Sequence, residues 1–495
     1  MITQGIAGIL AIVGLMLMTR YLGTEGYGTI AWTIAFLATF DSIADLGFGS
    51  AHIKKVSEGQ DLNVCVSTFA YVKGLLTLVM AITVICIIGL WSYFSENPLS
   101  SYSIRIMLVL LVYQVLADLT MIATITFAAR VQTAKSQLIQ ICDPLTRLPL
   151  LIFVLTNGMG ADTVTLVYLA GGIVAICVAI FLITREHIVW QKPKLMHSYA
   201  KWAIPMAAVS VAGVILNQLP TTMIGFFWPK TDVSYYSSSL ALLAYLGVLG
   251  GSVMTLLFPT FSKLAKEGNF EAIKRASIEG ERYLSLISLP VLTILIVFPN
   301  QIAGLFFGDA FTSGGKILPF LAAATYIGLL NLTVSAQVLG MNRVDLYVKW
   351  TYINLVLGVI LLLALVPSNL FGMRTLGLSY QGAAYASVIS AFVSFGFARW
   401  FTYSLTKAKP NPKILKHIAA AIIMGVVMYY ASTFYQMAHW FEALVYLLIS
   451  LGGFLGILYC LREFTANDLR FFLDTLNLKK MKQYMTTELH HKKKE

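Results

Sequence analysis

Charge is what this sequence has least of. Only 12% of its 495 residues are Asp, Glu, Lys or Arg, against 58% hydrophobic. A soluble domain carries roughly twice that charged fraction, so an ordinary soluble enzyme is excluded. Cysteine is scarce too. Cys65, Cys86, Cys142, Cys177 and Cys460 are odd in number and scattered through apolar stretches, with neither a disulfide framework nor zinc-ligand spacing. There is no P-loop, so the chain does not itself hydrolyse ATP. The seven histidines show no metal-ligand spacing between the apolar runs. No catalytic residue, cofactor or metal is therefore expected. A net charge of +12 would raise nucleic acid as a partner, but the basic residues do not gather on one soluble surface, and nucleic acid is set aside.

What is abundant is apolar length. A spanning helix needs roughly 20 mostly apolar residues, and fourteen such runs are read: 2–18, 27–46, 65–91, 104–128, 139–155, 164–183, 202–226, 238–261, 283–302, 316–338, 348–366, 383–403, 418–435 and 441–461. Backbone in lipid must satisfy its own hydrogen bonds, so these are helices, and the alternation of an outer-membrane barrel is absent. The first run starts with no basic segment or cleavage site and reads as a retained span. The fold class is an all-α polytopic membrane protein.

Lysine and arginine set the orientation. With the N-terminus in the cytoplasm, the inner segments carry 27 of them and the outer loops three, Arg20, Lys230 and Arg374. That asymmetry is a strong positive-inside signal and puts both termini in the cytoplasm. Beyond Thr465-Ala-Asn-Asp468, which has the look of a helix cap, Leu469, Phe472, Leu473 and Leu476 recur at helical spacing before Lys479 and Lys480. This tail reads either as an amphipathic helix on the inner leaflet or as a solvated segment.

Two cytoplasmic loops are alike. Lys54-Lys-Val-Ser-Glu58-Gly59-Gln60 follows the second span and Lys263-Leu-Ala-Lys-Glu267-Gly268-Asn269 the eighth. An offset of six spans preserves orientation, which implies parallel repeats about an axis along the membrane normal. The expected organisation is a six-helix bundle over 1–185, a second over 199–405, two further helices over 415–461, and a cytoplasmic tail over 462–495.

Charges inside spans are costly, roughly 2.5–3.5 kcal/mol at the bilayer centre, and generally face a bundle interior or a wet cavity. Asp41, Asp45, Lys73, Asp118, Asp143 and Arg147 qualify, all in the first half. Lys73 and Arg147 each lie about 12 Å up their helices at 1.5 Å per residue, so both cations could point into one cavity. The second half carries amides instead, including Asn217, Gln218, Asn331, Gln337 and Asn354. Bland readings stand beside these. Asp45 sits at a helix end and could serve only the interface. Asp143 and Arg147, spaced i,i+4 with the acid first, suit an intrahelical pair. Lys73 and Arg399 could snorkel.

Several segments resemble a known family. Arg20-Tyr-Leu-Gly-Thr-Glu25-Gly-Tyr-Gly28 is similar to the Arg-x-Leu-Gly-Pro-Glu-x-Tyr-Gly turn of the polysaccharide transporters, the oligosaccharide-lipid flippases of the multidrug/oligosaccharidyl-lipid/polysaccharide exporter superfamily, with Thr24 where Pro is usual. Ala44-Asp45-Leu-Gly-Phe-Gly-Ser50 before Lys54 resembles the segment closing their second helix, and Val233–Ser237, Leu305–Gly308 and Gly382–Tyr385 are similar short motifs. The resemblance implies a flippase moving a polyprenyl- or dolichyl-(pyro)phosphate-linked glycan from the cytoplasmic to the outer leaflet of the cell membrane by alternating access, for surface polysaccharide or glycoprotein synthesis. Glycan polymerase or glycosyltransferases would be its neighbours. On that reading Lys73 and Arg147 would hold the phosphate, Asn217 and Gln218 would bond sugar hydroxyls, and Asp41, Asp45, Asp118 and Asp143 would be candidates for ion coupling. The competing readings are a multidrug/cation antiporter of the same superfamily, whose cavity should be acidic, and a membrane scaffold for a glycan-polymerising complex.

Overall fold

The computed structural model describes residues 2–94, 99–370, 372–407, 411–434, 437, 439–465 and 468. The expected helix beyond Asp468 lies outside the described residues. The chain is an all-α, polytopic membrane protein. Its helices are α1 (Ile2–Asp45), α2 (Phe48–Ser57), α3 (Leu62–Phe94), α4 (Ser101–Ala129), α5 (Thr133–Thr156), α6 (Ala161–Thr184), α7 (Met196–Phe227), α8 (Lys230–Lys266), α9 (Phe270–Val297), α10 (Pro299–Phe307), α11 (Leu318–Gly340), α12 (Val344–Leu365), α13 (Ser379–Thr406), α14 (Lys413–Phe434) and α15 (Trp440–Cys460). A 3-10 segment (Asp309–Ile317) precedes α11 and a two-residue hairpin pairing joins α12 to α13.

Twelve helices are long and apolar enough to cross a membrane. The first, α1, contains two expected spans, bent at Gly23, whose φ of 68° only a residue without a Cβ adopts at little cost. With α8, at 37 residues, every one of the fourteen expected spans has its helix. Two boundaries differ in a way that matters. The expected loop at 19–26 is helical except at Gly23. The ninth span, read from Tyr283, begins at Phe270, so Glu281 and Arg282 lie inside a helix. Their polar neighbours had disguised that stretch as a loop.

The two similar loops build one and the same helix ending. The amide of Glu58 donates to Lys54 O, that of Gly59 to Val56 O and that of Gln60 to Lys55 O. The amides of Glu267, Gly268 and Asn269 repeat this with Lys263, Ala265 and Leu264. Both glycines have positive φ, 78° and 67°, as a left-handed helix stop requires. In lipid, helices associate through packing and polar contacts rather than hydrophobic drive. Here α1 packs on α3, α5, α7 and α8, α6 on α4 and α5, α11 on α8, α9 and α13, α12 on α7 and α13, and α14 on α9 and α15.

Candidate functional site

A chamber of about 730 Å³ lies between the two arms of α1 and helices α6, α7 and α8. Its walls are mainly aliphatic. Its polar groups are Tyr27, Tyr168, Ser210, Asn217, Gln218, Thr221 and Ser237, so the two amides expected from the sequence do face a cavity. Asn217 is exposed in it, its amide nitrogen donating to Gly213 O at 2.8 Å. A side pocket of about 130 Å³ contains Arg147 and shares Met18 and Tyr168 with the chamber.

The arginine is held in place from three helices. One turn back on α5, Asp143 takes Nη2 at 2.5 Å and Nε at 3.2 Å. The guanidinium lies 4.3 Å from the Tyr168 ring centroid and 5.8 Å from that of Tyr113, close enough for both rings to stabilise the cation. Tyr113 Oη donates to Asp143 Oδ2 at 2.9 Å. Gly171 and Gly172 of α6 make this fit: a Cβ at the first would sit 2.2 Å from Asp143 Oδ1, and at the second 2.9 Å from the Tyr113 ring. With Nε and one Nη2 proton engaged, the fork retains donors for a ligand. Arg147 is 23% exposed. The tyrosines and the glycine pair escaped the sequence reading; the adjacent glycines opposite a charged helix were the signal.

Lys73 lies elsewhere. Its Nζ donates to Asp118 Oδ1 at 2.7 Å, both side chains 1% exposed, and it lines neither chamber nor side pocket. Matching depth in two helices therefore did not bring the two cations together, because the i,i+4 acid claims one and the acid on α4 the other. Asp41 approaches Asp118, and Asp41 Oδ1, Asp118 Oδ2 and Thr77 Oγ1 are buried without partners. Asp45 caps the break between α1 and α2, accepting from the amides of Gly47 and Gly49 at 3.2 and 3.3 Å, which is the work of a helix end. Arg399 does not snorkel: it bonds Glu281, 1% exposed, at 2.5 Å. The second half thus carries a buried ion pair as well as amides. Among those amides, Asn331 Oδ1 and Asn354 Oδ1 join Ser390 Oγ as atoms with no partner among the described residues around a cavity of about 230 Å³ within α7, α11, α12 and α13, whose neutral oxygens suit water.

The chamber is shut at one end. Arg20 of α1 donates to Leu305 O and Trp32 Nε1 to Thr222 O at 3.2 Å. Gly28 permits the closest approach, since a Cβ there would be 1.9 Å from Lys230 O. The Arg20–Gly28 motif therefore seals α1 against the second half. At the opposite end α7 fastens to the first half: His52 of α2 is buried, with Tyr199 Oη and Thr126 Oγ1 each 2.9 Å from its ring nitrogens and Phe69 stacked at 4.4 Å. Burial lowers the His52 pKa to about 4, so it is neutral there at physiological pH.

Residues 1–265 match the model of the family described as polysaccharide biosynthesis protein. The chain is 21% identical over 402 residues to the probable low-salt glycan biosynthesis flippase Agl15 of Haloferax volcanii, covering 78% of this chain and 81% of that one. Its fold is similar to that of the lipid II flippase MurJ in an inward closed conformation, with a TM-score of 0.73, 17% identity and coverage of 92% of this chain and 97% of that one. It is also similar to an inward-facing multidrug resistance MATE family transporter of the MOP superfamily, with a TM-score of 0.64, 16% identity and coverage of 81% and 96%.

Proposed function

The chain belongs to the polysaccharide biosynthesis protein family, and from that premise we propose that it is a flippase carrying a lipid-linked oligosaccharide from the cytoplasmic to the outer leaflet of the cell membrane. One observation carries the reading: Arg147, clamped by Asp143 and two tyrosines, lines a side pocket that shares Met18 and Tyr168 with a chamber lined by Asn217 and Gln218. A (pyro)phosphate needs a preset planar cation, and sugar hydroxyls need neutral donors and acceptors. Arg147 supplies the first, and Asn217 and Gln218 the second. The lipid needs neither. The apolar groove of about 530 Å³ between α9, α11 and α14 suits its chain.

Motion would follow from the closed end. Released there and closed at the other, two bundles over 1–185 and 199–405 would expose the chamber alternately to either side. With both termini cytoplasmic, the sealed end faces outward. Helices over 415–461 would flank the second bundle, and polymerase or glycosyltransferases would act beside the carrier. For coupling, Lys73 pairs with Asp118, which leaves the neighbouring Asp41 without a countercharge among the described residues and able to take a proton or sodium ion. Asp45 and Asp143 are already engaged by a helix end and by Arg147, which weakens their case.

The cation-antiporter reading calls for an acidic cavity. Among the described residues that line the chamber and side pocket, none is a carboxylate and one, Arg147, is a cation. Asp143 behind it balances the charge, so it is the guanidinium donors left facing the pocket, not a net charge, that favour an anionic cargo. Replacing Arg147 by Ala should abolish surface glycan while the protein stays inserted. A scaffold for polymerisation would instead tolerate that change.

A further inference from the structure

A second polar opening lies apart from the chamber. A cleft of about 580 Å³ lies across the seam at the sealed end, with the kinked stretch of α1 on one wall and α10 with the following 3-10 turn on the other. Arg20 projects from the first wall, and Asn300, Gln301, Asp309 and Thr312 from the second. Its volume falls in the range of about 300–1,000 Å³ usual for small-ligand sites.

The chemistry of this cleft is unspent. Among the described residues the side chains of Asn300, Gln301 and Asp309 are exposed in the cleft and engaged by no other side chain. Arg20 gives one Nη2 bond to Leu305 O and has no carboxylate partner, so most of its donors remain. One guanidinium and one carboxylate leave the cleft with no net charge. An anion would gain from Arg20 and lose to Asp309, and a cation the reverse. A neutral, hydroxyl-rich ligand uses both, because each hydroxyl donates and accepts, and planar amide, carboxylate and guanidinium groups each engage adjacent hydroxyls in pairs.

We propose that this cleft is a second carbohydrate subsite, specific for uncharged sugar units, that receives the glycan as it leaves the chamber. The proposal rests on the flippase reading and adds a site that the transport step itself does not require. It also ties occupancy to opening. Arg20 bonds Leu305 O across the seam, so a sugar that recruits the guanidinium loosens the contact that keeps this end shut.

The test uses the full chain in lipid nanodiscs, where both faces are open to solution. Maltotriose, chitotriose and trigalacturonate are added at millimolar concentration and binding is followed by saturation-transfer NMR. The two neutral trisaccharides should bind and the anionic one should not. Gln301→Ala and Asp309→Ala should each weaken the neutral sugars about tenfold, the effect of losing one good hydrogen bond, and Thr312→Trp should block them by filling the cleft. Arg147→Ala should leave this binding unchanged. Absence of binding by either neutral sugar, preference for trigalacturonate, or binding indifferent to all three cleft variants would overturn the proposal. None of those results touches the flippase reading, which stands or falls on Arg147 and glycan transfer.

Discussion

Lys73 and Arg282 each lie fourteen residues beyond the glycine of the same helix-stop motif, one in each half. Their partners differ. Lys73 is neutralised inside its own half by Asp118 of α4. Arg282 reaches to the segment after α15: its Nε meets Glu463 Oε1 at 2.8 Å, its two terminal nitrogens meet Asp468 at 2.9 and 2.8 Å, and Nη2 also meets Glu463 O at 2.8 Å. The repeated position thus does one job twice, placing a cation in the third helix of each half. The first half uses it to lock helix to helix. The second uses it to fasten the segment after α15, and Glu281 next to it takes over the internal pairing through Arg399.

Breaking the first-half pair should have the largest effect. Lys73→Met strands Asp118, and removing one partner of a buried pair costs about 3–5 kcal/mol. Thermal unfolding in detergent should fall sharply, and the double change Lys73→Met with Asp118→Leu should recover most of the loss. An unaltered single mutant would show that the pair is solvated. Arg282→Met should come next, with a distinct signature. The segment 461–465 should become open to protease while α3 and α4 are unaffected, because the cation there serves an attachment rather than the bundle.

Acid should sharpen the contrast with smaller effects. His52, neutral and buried, joins α7 to the first half. An unfolded histidine binds its proton near pH 6.5 and this one only near 4, so the stability it contributes is full above about pH 6.5 and is lost as pH falls toward 4. Asp468 behaves otherwise. Burial would raise its pKa, but Arg282 and Thr465 hold it at about 2, so its contribution persists to about pH 4 and is lost between 4 and 2. Exchange of amide hydrogens around Tyr199 should therefore quicken near pH 5, while those around Asp468 stay protected. His52→Gln should remove the first change and leave the second.

Much of this architecture was legible because lipid enforces length and apolarity. A helix lies over each of the fourteen apolar runs, and twelve helices are long and apolar enough to cross a membrane. What was hidden was polar residue inside helix. Glu281 and Arg282 looked like loop because their stretch, from Phe270, is rich in charge, and only packing against Arg399, Glu463 and Asp468 makes it helical interior. The Asp143–Arg147 spacing was readable as a pair from the helical repeat, as was the interest of Asn217 and Gln218. That Tyr168 of α6 lines both the Arg147 pocket and the chamber of the two amides was not, since it depends on how α1, α5 and α6 pack. Depth along a helix misled for Lys73, because depth does not fix the direction in which a side chain points. That direction was set by Asp118, on another helix.

The central claim concerns the Arg147 chamber, and reconstitution tests it most directly. Purified protein in liposomes is supplied with a short fluorescent lipid-linked oligosaccharide, and transfer to the opposite leaflet is read by loss of access to a membrane-impermeant quencher. The wild type should transfer the lipid, Arg147→Lys should transfer it slowly, and Arg147→Ala should be at the level of empty vesicles despite equal incorporation. Undiminished transfer by Arg147→Ala would contradict the account.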